Sequence, residues 1–111
     1  MQMKRKIALL MTAMMTSAGV ALAADATANW NQHCASCHGK DGSGSTMMGK
    51  KLSVKDYREA AVQGAFTDAE AVKAIKEGVK KDGKDKMKPF GDKLSDADIA
   101  ALVAHLRSFK K

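Results

Sequence analysis

The chain has 111 residues, with 19 Lys and Arg against 12 Asp and Glu, two Cys, three His and one Pro. That length admits one small domain and excludes a two-halved dinucleotide fold or a (β/α)₈ barrel of about 250 residues. With 45% hydrophobic residues the chain is also too apolar to read as disordered.

The first 23 residues read as an export leader. Lys4, Arg5 and Lys6 precede an uncharged, mostly apolar run from Ile7 to Val20, and Ala21-Leu22-Ala23 has the small-x-small pattern that a signal peptidase cuts after. The run of 14 residues falls short of the ~20 needed to span a bilayer, so a permanent anchor is the weaker reading. The expectation is a cleaved Sec-type leader over 1–23 and one periplasmic domain over 24–111, starting at Ala24. The leader takes three positive charges and five of the eight Met with it, leaving Met47, Met48 and Met87.

Beyond residue 23 there are 19 large apolar residues. A core that thin usually needs a staple. Two Cys can supply one disulfide, half of a metal site or one covalent cofactor.

Helical periodicity dominates this remainder. Ala26, Trp30 and Cys34 fall at i, i+4 and i+8, one face of a first helix. A Gly/Ser loop follows from Gly39 to Gly49, and Leu52 to Ala65 has no clear period. Thr67 followed by Glu70 is a capping box opening a helix with Val72, Ile75 and Val79 on its inner face and Gly78 near its end. Lys80 to Lys93 reads as a Lys-rich loop. Ser95 followed by Asp98 is a second capping box, opening the clearest helix, with Ile99, Leu102, Val103, Leu106 and Phe109 on one stripe. No alternating run suggests a sheet, so the fold class expected is all-α.

Cys34-Ala35-Ser36-Cys37-His38 carries the chemistry. In an exported chain, C-x-x-C-H reads as a c-type haem attachment site. Two thiols three residues apart at the end of a helical turn can each add to one haem vinyl group, and the adjacent His then lies beneath the iron. A Cys34–Cys37 disulfide would close a tiny loop with little entropic gain, and a thioredoxin-like pair wants a βαβ setting. Zinc would need two more ligands. His33, His38 and His105 could supply them only without the usual spacing.

One position on the iron remains after His38; the candidates for it are Met47, Met48, Met87, His33, His105 or no protein ligand, the last of which would suit a haem enzyme or gas sensor. His33 is too close to the attachment site to reach the opposite haem face. Met87, in Lys86-Met87-Lys88-Pro89-Phe90, lies between two helices where packing does not already demand an apolar side chain. Core filling suits Met47 and Met48 better. Gly42-Ser43-Gly44 lacks the preceding strand of a phosphate cradle. Asp41, Ser43 and Ser45 imitate a calcium loop, but Leu52 stands where Glu is required.

Together these features resemble a class I cytochrome c of the short bacterial periplasmic kind. The resemblance rests on Trp30 four residues before the first Cys, on Cys34 to Gly39, on Met87 with Pro89-Phe90 after it, and on the closing helix from Leu94 to Phe109. It implies three to five helices wrapped around one covalently bound haem c, held by Cys34 and Cys37, with His38 and Met87 as iron ligands. It also implies a monomeric one-electron carrier between larger redox proteins rather than an enzyme. Three departures stand out. Ala26 takes the family's usual Gly position, and His105 takes its usual Tyr or Trp position, where it is expected to pack on the first helix. No Pro follows the haem motif, so a carbonyl between Met48 and Leu52 is expected to accept the His38 N–H, as ligating His residues require.

Charge concentrates around Met87. From Lys73 to Lys93 there are eight Lys against Glu77, Asp82, Asp85 and Asp92. Without interleaved aromatics, and in an exported chain, this does not suit nucleic acid. It suits either a solvated loop or a docking surface for an acidic redox partner. No stable membrane insertion is expected once the leader is removed.

Overall fold

The computed structural model describes residues 26–111. The leader expected over 1–23 and its cleavage before Ala24 lie outside them. Helix α1 runs over 26–38 and contains a π turn, Trp30–Cys34, in which the Ala35 N–H donates to Trp30 O, before the α turn Ala35–His38. Such turns recur at functional sites because they re-aim the side chains that follow. Ala26, Trp30 and Cys34 are all buried, as their spacing predicts. The Trp30 indole N–H donates to Gly39 O at 2.9 Å, tying the buried ring to the residue that ends the helix.

The Gly/Ser loop is shorter than expected. Thr46 caps a helix α2, Met47–Leu52, accepting from the Gly49 N–H at 2.8 Å while its hydroxyl donates to Cys37 O at 2.7 Å. One side chain thus starts α2 and seats it on the end of α1. The next stretch turns on an Asp56–Arg58 fork, with 3.0 and 2.9 Å bonds that hold the Asp56 carboxyl down at about 2. It then forms the single turn α3, Ala60–Gln63.

Helices α4, Asp68–Glu77, and α5, Asp96–Arg107, both open on complete capping boxes at the positions expected, Thr67 with Glu70 and Ser95 with Asp98. Each cap stabilises its helix by about 1 kcal/mol. Ile99 and Leu102 on α5 are fully buried and pack with Trp30, Ala71, Ile75, Phe90, Leu94, Val103 and Leu106 into one core. The inner face of α4 departs from the sequence expectation. Ala71 and Ile75 are buried, Val72 is half-buried, and Val79 is exposed because Gly78 has already ended the helix.

The Lys-rich segment also departs from the loop expected. Val79–Lys81 (β1) and Lys84–Met87 (β2) pair antiparallel, Lys81 opposite Lys84 and Val79 opposite Met87. The turn residues Asp82 and Gly83 both have positive φ, 55° and 77°, which is what a two-residue turn matched to strand twist requires. The Asp-Gly pair was a hairpin signal in a run whose lysines have little strand preference. The architecture is otherwise helical, with five helices and this one small hairpin among the described residues.

Candidate functional site

A cleft lies between α1 and the hairpin. It has two chambers of about 520 and 540 Å³, both lined by Cys34, His38, Lys55, Tyr57 and Met87. The first is walled mainly by apolar side chains from α3 to α5, among them Val62, Phe66, Ala71, Ile75 and Leu106. The second opens past Cys37, Met48 and Leu52. An apolar cleft of this size with a few convergent polar groups is the usual form of a site for a small organic ligand or cofactor.

Its outer wall is held by a long-range polar latch. Gln63 is a buried polar side chain whose amide donates to Tyr57 O at 2.7 Å and Leu106 O at 2.9 Å. Arg107 donates to Gln63 O at 2.6 Å, to Phe66 O at 2.9 Å and to Asp68 Oδ1 at 2.8 Å, and lies over the Phe66 ring. Chain 57–67 is thereby fastened to α5, with Tyr57 and Phe66 edge to face on the cleft side.

Cys34 and Cys37 are not joined to each other as a disulfide. Burial, with the neighbouring Cys37, pushes the Cys34 thiol up to about 11. Redox-active dithiols depress a thiol pKa instead. No group of three or more His, Cys, Asp or Glu residues that could hold a metal occurs among the described residues. Among the described residues there is neither the βαβ setting of a thioredoxin-like pair nor a ligand cluster for zinc.

The His38 ring lies 5.6 Å from that of Trp30 and 5.5 Å from that of Tyr57. Burial lowers its pKa and keeps the imidazole neutral, the form that binds metals. Its Nδ1 is buried without a hydrogen-bond partner. The expectation of an acceptor between Met48 and Leu52 is therefore not met. Carbonyls there serve other donors: Gly49 O accepts from Val54 N, Lys50 O from Ser53 N, and Leu52 O from Lys86 Nζ. A neutral imidazole beside Cys34 and Cys37 at an apolar cleft fits a haem attached at this motif.

Of the Met candidates, Met87 at the end of β2 is half-buried and reaches both chambers. Met48 lines one chamber but is 42% exposed, and Met47 is 87% exposed. Neither fills the core as expected. His33 sets its ring edge on Phe90 at 5.5 Å. His105 lies 5.5 Å from Trp30 and 5.0 Å from Phe109, the packing role expected of it.

Burial lowers the His105 pKa, so the neutral ring is the packed form. The unfolded chain then binds the extra proton more readily, and this contribution to stability is lost as pH falls below about 6.5. His105→Tyr is expected to keep the visible spectrum and flatten the pH dependence of thermal unfolding between pH 7 and 5. His105→Asp, which places a charge without a partner against Trp30, is expected to lower the melting temperature at pH 7. A visible spectrum altered by the Tyr variant would show that His105 acts at the cofactor.

Sequence reasoning missed Tyr57, Lys55, Phe66 and Gln63. They lie in or beside the stretch without periodicity, and their partners are distant in the chain, so no local pattern marks them.

A family model described as cytochrome C oxidase, cbb3-type, subunit III, matches residues 21–106. Among solved structures, the KustC0563 c-type cytochrome is similar at 33% identity and TM-score 0.67, over 78% of this chain and 99% of that one. A tyrosine-to-phenylalanine mutant of it gives 34% identity and TM-score 0.68 over the same shares. No curated protein matches.

Proposed function

Because this chain belongs to the cytochrome c family of the cbb3 oxidase subunit III type and carries covalently bound haem c, we propose that Cys34 and Cys37 form its thioethers and that His38 and Met87 are its axial ligands. Haem-based electron transfer is the function of such a domain, and the iron supplies the one-electron couple. The observation that supports the ligand assignment is that His38 and Met87 both line the two chambers of one cleft. With both positions held, no substrate site remains on the iron, and no general acid or base is needed. Met87, a soft thioether donor, favours the ferrous state and raises the potential. Phe66, Ile75 and Leu106 exclude water, and the Gln63–Arg107 latch limits rearrangement of the wall when the charge changes.

We place the protein in the periplasm as a carrier between larger redox proteins, on the strength of its leader-like first 23 residues. Among the described residues no helix is long and apolar enough to cross a membrane. On the purified protein, haem staining after denaturing electrophoresis, an intact mass of residues 24–111 plus one haem, and the weak far-red band of Met sulfur on ferric haem test this reading. A colourless band would overturn the attachment, a heavier chain the cleavage, and a missing far-red band the Met ligand. The matched family is named for an oxidase subunit, which favours a second reading as the permanent subunit of one enzyme. Co-purification at fixed stoichiometry would distinguish it.

The surface around Met87 supports acidic partners. Lys80, Lys81, Lys84 and Lys88 are exposed on and beside the hairpin, whereas Lys86 is half-buried and turned to Leu52 O. Steering by such charges acts on association and is screened over ~8 Å at physiological salt. The second-order rate of electron exchange with the native partner is expected to fall as salt rises. Lys84→Glu and Lys88→Glu are expected to slow it with little change in potential, and Lys110→Glu to matter less. A salt-independent rate, or equal effects from hairpin and tail, would make these lysines a solvated surface only.

A further inference from the structure

We infer that Gly78 is a positioning residue for the sixth ligand: its missing side chain lets the backbone of Met87 to Pro89 lie against the end of α4, which fixes where the Met87 sulfur sits. The inference rests on the assignment of Met87 as that ligand.

Gly78 has φ 80° and ψ 177°, a region essentially reserved for glycine. A Cβ there would stand 2.7 Å from Met87 O, 2.9 Å from Pro89 N and 3.1 Å from the Lys88 carbonyl carbon. All three are backbone atoms, so no rotamer change relieves the collision. The segment cannot slide along α4 either. Its exit is bonded there, Phe90 N to Ile75 O at 2.9 Å and Gly91 N to Lys76 O at 3.1 Å, and Phe90 is buried. Its entry is paired, Met87 opposite Val79. The movement left open is outward from α4 at residues 87–89, and it carries the Met87 side chain with it.

Two other glycines separate this contact from general strain. Gly83 also has positive φ, 77°, but a Cβ there meets nothing within 4 Å. Gly91 has no positive φ, and a Cβ there stands 3.0 Å from Lys76 O, pressing the same segment off α4 from its far end.

The test uses the ferric holoprotein and its variants Gly78→Ala, Gly83→Ala, Gly91→Ala and Met87→Ala, read by the far-red band and by the rate of cyanide binding. Cyanide enters only where the sixth ligand has left, so its rate reports the strength of that bond. For Gly78→Ala a weakened band and about tenfold faster cyanide binding are expected, equivalent to about 1.4 kcal/mol lost from the ligand. Gly91→Ala should shift both in the same direction by less, and Gly83→Ala should shift neither. A folded Gly78→Ala with an unchanged band and cyanide rate overturns the inference. If that variant does not accumulate, an unchanged Gly91→Ala overturns it instead, as does a Gly83→Ala effect as large as that of Gly78→Ala. A band that survives Met87→Ala overturns the ligand assignment and the inference together. A band lost there but intact in Gly78→Ala overturns the inference alone.

Discussion

Met87→Ala is expected to abolish the far-red absorption of the ferric protein, to lower its reduction potential by on the order of 0.2 V, and to open the iron to rapid binding by cyanide or azide. The reasons are chemical and geometric. A thioether is a soft partner for iron and stabilises the ferrous form. A methyl group in its place would supply no donor, and that preference for the ferrous form would be lost. Met87 is the half-buried Met at the cleft, and its neighbours cannot readily replace it. Met47, 87% exposed, lines neither chamber, and Met48, 42% exposed, lines only the second. Met47→Ala and Met48→Ala should leave the band, the potential and the cyanide rate as they are. Titration of the potential with the spectrum followed in parallel decides the matter. A band lost in the Met48 variant and kept in the Met87 variant would exchange their roles.

What could be read from the sequence, and what could not, divides along the range of the interactions. Both capping boxes are four-residue signals whose partners are three residues apart, and both stand in the structure where the sequence puts them. The buried face of α1 and the stripe of α5 follow from a helical period that tertiary contacts do not disturb. The wall of the cleft is different. Tyr57 and Gln63 owe their places to bonds across the fold, such as Gln63 to Leu106, 43 residues away, and no local period encodes such a pairing. The hairpin lies between these cases: Asp82-Gly83 is a local turn signal, but the flanking lysines, with little strand preference, make the segment read as a loop. Val79 was misplaced because continuing the helical period ran through Gly78, whose φ of 80° ends the helix. Cys34, Cys37, His38 and Met87 are singled out by residue type and spacing, and all four line the second chamber of the cleft. The acceptor for the His38 N–H was sought in the sequence near Met48 to Leu52, where carbonyl groups are already engaged by the chain's own turns and by Lys86.

The second large effect is expected from the cysteines. Cys34→Ala/Cys37→Ala should give no haem-staining band and accumulate at a small fraction of the native level, and each single variant should fall between. Thioether bonds keep the cofactor in place through every excursion of the fold, so their loss exposes the protein to haem dissociation. The consequence for stability follows from the size of the cleft. Its apolar chamber measures about 520 Å³, and a dry cavity of that volume would cost about 12 kcal/mol at ~24 cal/mol per Å³. A chain made without its haem avoids part of this by admitting water, but Phe66, Ala71, Ile75 and Leu106 then line a wet surface instead of a core. Either cost is comparable with the whole stability of a small domain, about 5–15 kcal/mol. Proteolysis of the unfolded fraction then lowers abundance, since even about 1–2 kcal/mol changes it several-fold. The comparison is made on periplasmic extracts, with haem stain and immunoblot run on the same samples. A double variant that still stains would place the covalent attachment elsewhere, and one that accumulates normally as a colourless, folded chain would show that the core around Ile99 and Leu102 suffices without the cofactor.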